Sequence, residues 1–365
     1  MADCGFHYTE RDLFRFHTCV KTGMLTLLGG DPGCGKSSLV ELYARALIGR
    51  TKESCGSDEE VEECFKRIDV NPAWMEPADL IGYAVPNVTD SSEKQEVFHE
   101  AQCGLRKFLK EAKPDKPAIV CFEEINLARI ELYFSDFVQL ISRYEIGEEK
   151  KLPSYGGEDG KQKLNINNVT RFVGTFNEDE TVKSMSKRFL DRCNVVRLAT
   201  DHKETKLFSS FGGRLEAFKE EGVSGEEYHA WLRSVDNEVA RSIGLKLDEL
   251  YQKIVCHDSA FSKVIIYPSP RVCAEILRYV INRPRTAAIS EDDWIKMAFD
   301  EAIAQRIVSK CVPDALNRKN YGEAAERLRD VLSTSQSEGV VLTAAVLDSL
   351  QSETNSLYEY ADVNG

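Results

Sequence analysis

The chain has 365 residues, enough to bury the cores of two domains, and its hydrophobic share of 42% is ordinary for a globular protein. Its 47 basic and 60 acidic residues give a formal net charge of -13, which argues against non-specific binding of the whole chain to DNA or to a membrane surface. The eleven cysteines contain no Cys-x-x-Cys pair, so neither a disulfide framework nor a zinc site is indicated. With no apolar run long enough to cross a bilayer and no leader-like amino terminus, a cytoplasmic protein without membrane contact is expected.

Residues 20–200 alternate short apolar runs with helical stretches, which is the pattern of a mostly parallel sheet covered by helices. The stretch 126–145 is predicted as a helix that begins directly after two glutamates, with apolar residues at helical spacing on one face. A stretch rich in Gly, Lys, Glu and Asn, 145–168, is predicted as an exposed hairpin or loop. The predicted buried strands are 24–30, 118–122, 171–176 and 194–199.

The first predicted strand leads into GDPGCGKS, which satisfies the Gly-x-x-x-x-Gly-Lys-Ser pattern of a phosphate-binding loop and precedes a predicted helix. Glycines let backbone N–H groups surround phosphate oxygens, and the start of the helix adds partial positive charge. In this interpretation Lys36 reaches the outer phosphates and Ser37 binds Mg²⁺. The candidate nucleotide-binding residues are Gly30, Asp31, Pro32, Gly33, Cys34, Gly35, Lys36, Ser37 and Ser38.

Two adjacent glutamates, Glu123 and Glu124, end the second predicted strand. Hydrolysis of a nucleoside triphosphate needs a carboxylate near the metal and a group that positions water. Glu123 is the candidate for the metal, through its water shell, and Glu124 is the candidate for polarising the attacking water. The alternative is that both glutamates solvate the end of a strand and the start of the next helix, where negative charge is favourable.

Further polar candidates lie next to the last two predicted strands. Asn177 ends the strand 171–176 and could hold the attacking water from the far side, although asparagine is also common in turns at strand ends. Arg188 and Arg192 precede the strand 194–199, and an arginine there could reach the phosphates bound by a neighbouring subunit. A surface salt bridge is the alternative role for these arginines.

From about residue 201 the sequence changes to charged helical segments, so we predict two domains, 1–200 and 201–365. In the second, Ser269 is the predicted N-cap and Pro270 the first residue of a helix that carries Arg271. The last fifteen or so residues are polar and are predicted to fray.

Taken in order, these motifs resemble the AAA+ ATPases, and in particular the dynein-related branch that includes the MoxR chaperones and the restriction motor McrB. The resemblance spans about residues 20–315 and weakens between 201 and 260. The segments most similar to the McrB-like group are 69–83, 123–137, 173–181 and 190–198.

The resemblance implies a five-stranded, mostly parallel sheet between helices, followed by a helical lid domain. It also implies functional roles for single residues: Lys36 and Ser37 as the Walker A pair, Glu123 and Glu124 as the Walker B pair, Asn177 as sensor 1, Arg192 as a finger acting in a neighbouring site, and Arg271 as sensor 2. The family resemblance also implies a ring, usually a hexamer, because the arginine finger of one subunit completes the site of its neighbour. The segments 82–104 and 145–168 would match family insertions that line the pore or grip partners.

Two departures bear on the chemistry that the resemblance implies. Glu123 stands where aspartate is usual, but the charge needed for a water-mediated Mg²⁺ contact is kept. Residues 178–180 read Glu-Asp-Glu where McrB has a Thr-Ala-Asp run associated with GTP, so ATP is favoured over GTP.

We expect a ring-forming ATPase that remodels or drives a protein partner, and a nuclease subunit, as in the McrB system, is one candidate for that partner. The alternatives are a nucleotide-gated scaffold or MoxR-like chaperone module with little turnover, a GTPase, and a DNA-translocating motor. DNA would be engaged only indirectly or through the partner, because acidic residues offset the lysines of the 145–168 hairpin.

Overall fold

A computed structural model provides the structure of the chain. By their contacts the residues form two compact units, Met1–Leu232 and Arg233–Gly365, and each is considered by itself. The structure describes residues 8–23, 25–49, 58–87, 95–142, 150–152, 164–177, 185–198, 222–255, 264, 268–286, 288–311, 318–334 and 341–352.

Nine strands are present in the described part of the first unit. The strands are β1 (Leu25–Gly29), β2 (Phe65–Asp69), β3 (Tyr83–Asn87), β4 (Gln95–His99), β5 (Ala118–Glu123), β6 (Lys150–Leu152), β7 (Leu164–Ile166), β8 (Thr170–Phe176) and β9 (Asn194–Arg197). Five of them form one sheet in the order β2-β5-β8-β1-β9, and every neighbouring pair is parallel. This confirms the predicted α/β fold with a five-stranded parallel sheet.

Helices connect these strands, as parallel pairing requires. The helices of the first unit are α1 (Glu10–Thr22), α2 (Lys36–Ile48), α3 (Asp58–Cys64), α4 (Pro77–Ile81), α5 (Leu105–Glu111), α6 (Ile130–Tyr133), α7 (Ser135–Ser142), α8 (Lys187–Leu190) and α9 (Gly225–Ala230). The central strands β1, β5 and β8 are buried along their whole length, which explains the apolar runs in their sequences. Thr170, Arg171 and Thr175 of β8 are buried polar residues.

The four strands predicted from apolar runs are all present, but β2 was not predicted. It lies at the edge of the sheet, where Lys66, Arg67 and Asp69 remain accessible to solvent, so its sequence lacks an apolar run. The prediction of one continuous helix directly after Glu124 is wrong. Residues 124–129 form a turn, α6 begins only at Ile130, and the chain breaks again at Phe134 before α7.

Two small hairpins lie within the predicted insertions. Strands β3 and β4 pair antiparallel inside the segment 82–104, and β6 pairs antiparallel with β7 inside 145–168. Of the exposed hairpin or loop predicted for 145–168, the hairpin is present in the described residues 150–152 and 164–166. The expected exposure is wrong for β7, because Leu164 and Ile166 are buried in the core. The rest of that segment lies outside the described part.

The division between the units falls after Leu232, whereas the sequence placed it at 200. Helix α9 and the residues before it account for the difference, because they pack on the first unit. The N–H of Val223 donates to the carbonyl of Leu47, and that of Gly225 donates to the carbonyl of Asp115. The Tyr228 ring lies 5.4 Å from the guanidinium carbon of Arg171.

His17 on α1 is part of this packing. Its Nδ1 lies 3.1 Å from the hydroxyl of Tyr43, and its ring centroid lies 5.5 Å from that of Trp231. Burial, with a smaller contribution from Lys21, lowers the pKa of His17 to about 3. Between pH 6.5 and 3 the unfolded chain therefore binds a proton that the folded chain does not, so stability falls as the pH is lowered through this window.

We expect His17→Asn, which keeps a polar atom near Tyr43 but does not titrate, to flatten this pH dependence. Urea unfolding at pH 7.5 and pH 5.0 should show the wild type losing roughly 1 to 2 kcal/mol more than the variant. Equal losses in the two proteins would show that His17 is not a source of the acid sensitivity.

The secondary-structure elements in the described part of the second unit are all helical. Its elements are α10 (Glu238–Val255), α11 (Pro270–Asn282), α12 (Glu291–Arg306), the 3-10 turn Val308–Lys310, α13 (Arg318–Leu332) and a helical stretch at 342–352. The predicted start of α11 is confirmed, because the Ser269 side chain accepts the N–H of Val272 and Pro270 is the first helical residue. Helix 342–352 is fixed by Asp300, whose carboxylate accepts the N–H groups of Leu342 and Thr343.

The buried ion pair of this unit joins α11 to α12. Arg283, which follows α11, contacts Glu301 through Nε at 2.8 Å, and Tyr279 donates to the same carboxylate at 2.9 Å. Both charged groups are almost fully buried, and the three hydrogen-bonding partners satisfy each other.

As for membrane insertion, the helices described in the two units include none that combines the length and the apolar character needed to cross a bilayer.

Candidate functional site

The carboxyl ends of the three central strands meet at one edge of the sheet. Gly29 at the end of β1 is level with Phe176 at the end of β8, and Phe122 near the end of β5 is level with Gly174. The residues that follow these ends are the phosphate loop, the two glutamates and Asn177. The structure therefore brings together the candidates that the sequence located on separate strands, as parallel pairing requires.

The loop between β1 and α2 has the backbone conformation of a phosphate-binding turn. Gly30, Gly33 and Gly35 have φ values of 144°, 80° and 86°, a region that side-chain-bearing residues rarely adopt. A Cβ built on Gly33 would meet no atom within 4 Å, so the loop is open there. Helix α2 begins at Lys36, which places the positive end of a 13-residue helix dipole at the loop.

Lys36 lies over its own loop and is only 8% exposed. Its ammonium group donates to the carbonyls of Gly30 at 2.7 Å and Asp31 at 2.9 Å. On the other side, the Tyr8 hydroxyl donates to the carbonyl of Gly35 at 2.7 Å, and burial raises the pKa of Tyr8 above its usual value. The loop is thus held in a curled shape by contacts to its carbonyl groups.

Ser37 and Glu123 form the candidate metal position. The Ser37 hydroxyl donates to Oε2 of Glu123 at 2.5 Å, across from α2 to the end of β5. A hydroxyl and a carboxylate beside a phosphate loop are oxygen ligands of the kind that Mg²⁺ uses, with phosphates and water completing its shell. The extra methylene of Glu123 is accommodated, since the carboxylate reaches Ser37 directly. These residues therefore fit a magnesium ion.

Glu124 is the single residue other than glycine with positive φ in the described part of the chain, at 51°. Such a conformation is costly for glutamate and is maintained only where the surroundings fix it. Here the next residue, Ile125, donates its N–H to the carbonyl of Thr175 at 2.8 Å, and Leu127 donates to the carbonyl of Glu124 at 2.8 Å. Because of this turn, the chain does not pass directly from β5 into a helix, and α6 begins only at Ile130.

Asn177 lies beside this turn. Its amide donates to Oε1 of Glu124 at 3.3 Å, and its own carbonyl accepts a hydrogen bond from the Asn126 side chain at 3.0 Å. Neither the Glu124 nor the Asn177 side chain is buried, so both are accessible to water. A carboxylate and an amide that face the same solvent are suited to orienting a water molecule between them.

Two side chains that sequence reasoning missed lie next to Glu123. Arg67 on β2 has its Nε 3.5 Å from Oε1 of Glu123 and equally far from Oδ1 of Asp69. The Cys121 thiol is also 3.5 Å from Oε1 of Glu123, and its pKa is raised by burial and, to a smaller extent, by that carboxylate. Arg67 and Asp69 on β2 are level with Cys121 and Glu123 on β5. Every second residue of a strand points to the same face, so these four side chains share one face of the sheet.

Thr175 and Asn126 were also missed, although a signal existed for Thr175. Thr175 is a polar residue in a buried strand, it stands two positions before Asn177, and it is itself only 2% exposed. Most buried hydroxyls have a hydrogen-bond partner, and the neighbours of Thr175 in the sequence offer none. Asn126 carried no comparable signal, because its role depends on the turn at 124–129.

Arg192 is not among the residues that the first unit assembles at this edge. Arg192 precedes β9 by two residues, and Arg197 of that strand is level with Gly29, so Arg192 lies on the order of 15 Å back along the strand direction from the phosphate loop. Its Nη1 donates to the carbonyl of Arg188. Arg271 lies in the first turn of α11, in the second unit.

Comparison with known proteins agrees with this geometry. Residues 26–193 match the AAA domain of the dynein-related subfamily. No curated protein sequence matches the chain. The matched region contains the phosphate loop, both glutamates and Asn177, and its fold is the α/β fold of an AAA domain. The match supports nucleotide binding and hydrolysis of a nucleoside triphosphate, the activity associated with the family.

Proposed function

We propose that the AAA domain of this chain binds ATP with Mg²⁺ and hydrolyses it at the carboxyl edge of the sheet. The observation that carries the proposal is the assembly of Ser37, Glu123, Glu124 and Asn177 beside the phosphate loop, from α2, β5 and β8. Each group has the chemistry that its position requires: hard oxygen ligands for the metal, and a carboxylate with an amide for water.

In this proposal the phosphate loop and Lys36 bind the phosphates, and Ser37 and Glu123 hold the magnesium ion. When bound, Mg²⁺ would neutralise charge on the phosphate oxygens. Glu124 accepts a proton from the attacking water, and Asn177 fixes the orientation of Glu124 and of that water. The left-handed backbone at Glu124 presents its carboxylate beside Asn177, where a regular helix would carry it away.

ATP is the proposed nucleotide because residues 178–180 read Glu-Asp-Glu, where McrB has the Thr-Ala-Asp run associated with GTP. These three residues lie outside the described part. A fluorescent ADP analogue displaced by ATP at lower concentration than by GTP would support this choice. Preferential displacement by GTP, together with faster GTP turnover, would make the protein a GTPase at the same site.

We further propose that the protein works as a ring, with Arg192 acting in the site of a neighbouring subunit. Its position at the amino end of an edge strand, away from its own phosphate loop, supports a role in another subunit's site. An arginine supplied across an interface stabilises charge on the transferring phosphoryl group. A six-membered ring is the expected assembly, and Arg271 is proposed as a second arginine that senses the bound nucleotide.

Mixing two inactive variants tests this sharing of sites. Arg192→Ala subunits keep an intact phosphate loop, and Lys36→Ala subunits keep an intact arginine, so an interface between the two contains one complete site. At equal amounts about a quarter of the interfaces should be complete, and turnover should recover to that order. Arg188→Ala, one helical turn earlier, is the matched control and should retain wild-type turnover. No recovery on mixing would remove the shared-site proposal.

The work done by this ATPase is proposed to be the remodelling or driving of a protein partner, for which a nuclease subunit is one candidate. This follows from the similarity of the motifs to the MoxR and McrB branch and from the absence of a strongly basic overall charge. Capture of proteins that copurify with an ATP-bound Glu124→Gln variant would identify the partner. Stimulation of turnover by DNA alone, decreasing with salt, would favour a DNA-translocating motor.

A further inference from the structure

We infer that Thr175 is a positioning residue that couples the metal-binding carboxylate to the water-activating glutamate. This inference rests on the proposed function, since it concerns how the same site is held together. Thr175 lies on β8, and neither Glu123 nor Glu124 belongs to that strand. Its single hydroxyl contacts both of them.

The hydroxyl of Thr175 uses both of its hydrogen-bonding capacities. It donates to Oε2 of Glu123 at 2.9 Å, and it accepts the backbone N–H of Glu124 at 3.1 Å. Oε2 is the same oxygen that accepts from Ser37. The side chain is 2% exposed, so water cannot replace either bond. One buried hydroxyl therefore fixes the orientation of the Glu123 carboxylate and the start of the turn at Glu124.

This arrangement makes the positions of the two glutamates depend on each other. Rotation of the Glu123 carboxylate away from Ser37 would cost the bond to Thr175, whose hydroxyl would then no longer be oriented to accept from Glu124. The backbone of Glu124 is in the left-handed region, which is maintained only while such contacts persist. Thr175 itself contacts neither metal nor water in this proposal, so its action is through Glu123 and Glu124.

A matched control exists on the neighbouring strand. Thr26 on β1 is also a fully buried threonine, but its hydroxyl has no hydrogen-bond partner among the described residues. Replacing threonine by valine removes a hydroxyl at similar shape, so Thr175→Val and Thr26→Val differ chiefly in the bonds that are lost. Thr175→Ser keeps the hydroxyl and serves as the rescue variant.

The test compares full-length wild type with these three variants in two assays. The first measures kcat and KM for ATP hydrolysis with Mg²⁺. The second measures the Kd of a fluorescent ADP analogue with Mg²⁺ and with EDTA, whose ratio reports how strongly the metal aids binding. For Thr175→Val we expect kcat to fall about 10- to 100-fold with KM changed less than about threefold. The metal-dependent ratio should fall severalfold, and the Kd in EDTA should stay close to that of the wild type.

Thr175→Ser should restore both quantities, and Thr26→Val should match the wild type throughout. Wild-type kcat and wild-type metal dependence in Thr175→Val would overturn the inference. So would a parallel loss of nucleotide binding in EDTA, or a failure of serine to rescue, because either result indicates a structural role only.

Two further precautions keep the test decisive. If Thr175→Val does not fold, Thr175→Cys replaces it, with the same expected direction and the same contrary result. If the wild type itself shows no hydrolysis, the proposed function fails, while the metal-dependent binding ratio still decides whether Thr175 positions Glu123.

Discussion

Replacing Glu124 by glutamine should lower the rate of ATP hydrolysis by about two to four orders of magnitude while ATP remains bound. Glutamine has the shape of glutamate and can keep a hydrogen bond with Asn177, but its amide cannot take a proton from water. The bonds of Thr175 to the backbone N–H groups of Glu124 and Ile125 do not involve the replaced side chain. The variant should therefore retain the fold of the site and hold ATP in an uncleaved state.

Phosphate release and binding of a fluorescent ATP analogue, measured on the same preparation, separate the two effects. Glu111→Gln, an exposed carboxylate on α5, is the matched control and should hydrolyse ATP at the wild-type rate. A Glu124→Gln variant with wild-type turnover would assign water activation to another group.

Replacing Lys36 by alanine should weaken ATP binding by about 100-fold or more, and turnover should be lost with it. The ammonium group of Lys36 lies at the loop, where it contacts the carbonyls of Gly30 and Asp31. Its removal takes away both the charge that phosphates would meet and two bonds that curl the loop. The expected loss therefore appears in Kd, in contrast with Glu124→Gln, where it appears in kcat.

Titration of a fluorescent ATP analogue measures this loss. Lys107→Ala on α5 removes an exposed lysine and should leave the affinity unchanged. Wild-type affinity in Lys36→Ala would mean that the nucleotide does not bind at this loop.

The parts of the site that sequence could predict are those set by local pattern. The loop from Gly30 to Ser37 is contiguous, and its glycines occur where the backbone requires positive φ. Glu123, Glu124 and Asn177 follow buried strands, and parallel pairing alone brings such positions to one edge. The central strands were predictable from local pattern as well, because burial on both faces gives each of them a short run of apolar residues.

The remaining features depend on contacts between distant residues. Strand β2 escaped prediction because an edge strand carries Lys66, Arg67 and Asp69 without cost. The turn after Glu124 could not be separated from a helix by periodicity, since the bonds that break the helix come from Thr175, about fifty residues later. Helix α9 was assigned to the second domain because it is charged and helical, whereas its packing places it in the first unit.

This edge of the sheet is proposed to hydrolyse ATP with magnesium. Steady-state phosphate release from ATP by the wild type, measured with Mg²⁺ and then with excess EDTA beside the Lys36→Ala variant, decides whether it does. The proposed site predicts turnover with Mg²⁺ that falls to the level of Lys36→Ala when the metal is chelated. Equal phosphate release by wild type and Lys36→Ala in Mg²⁺ would contradict it.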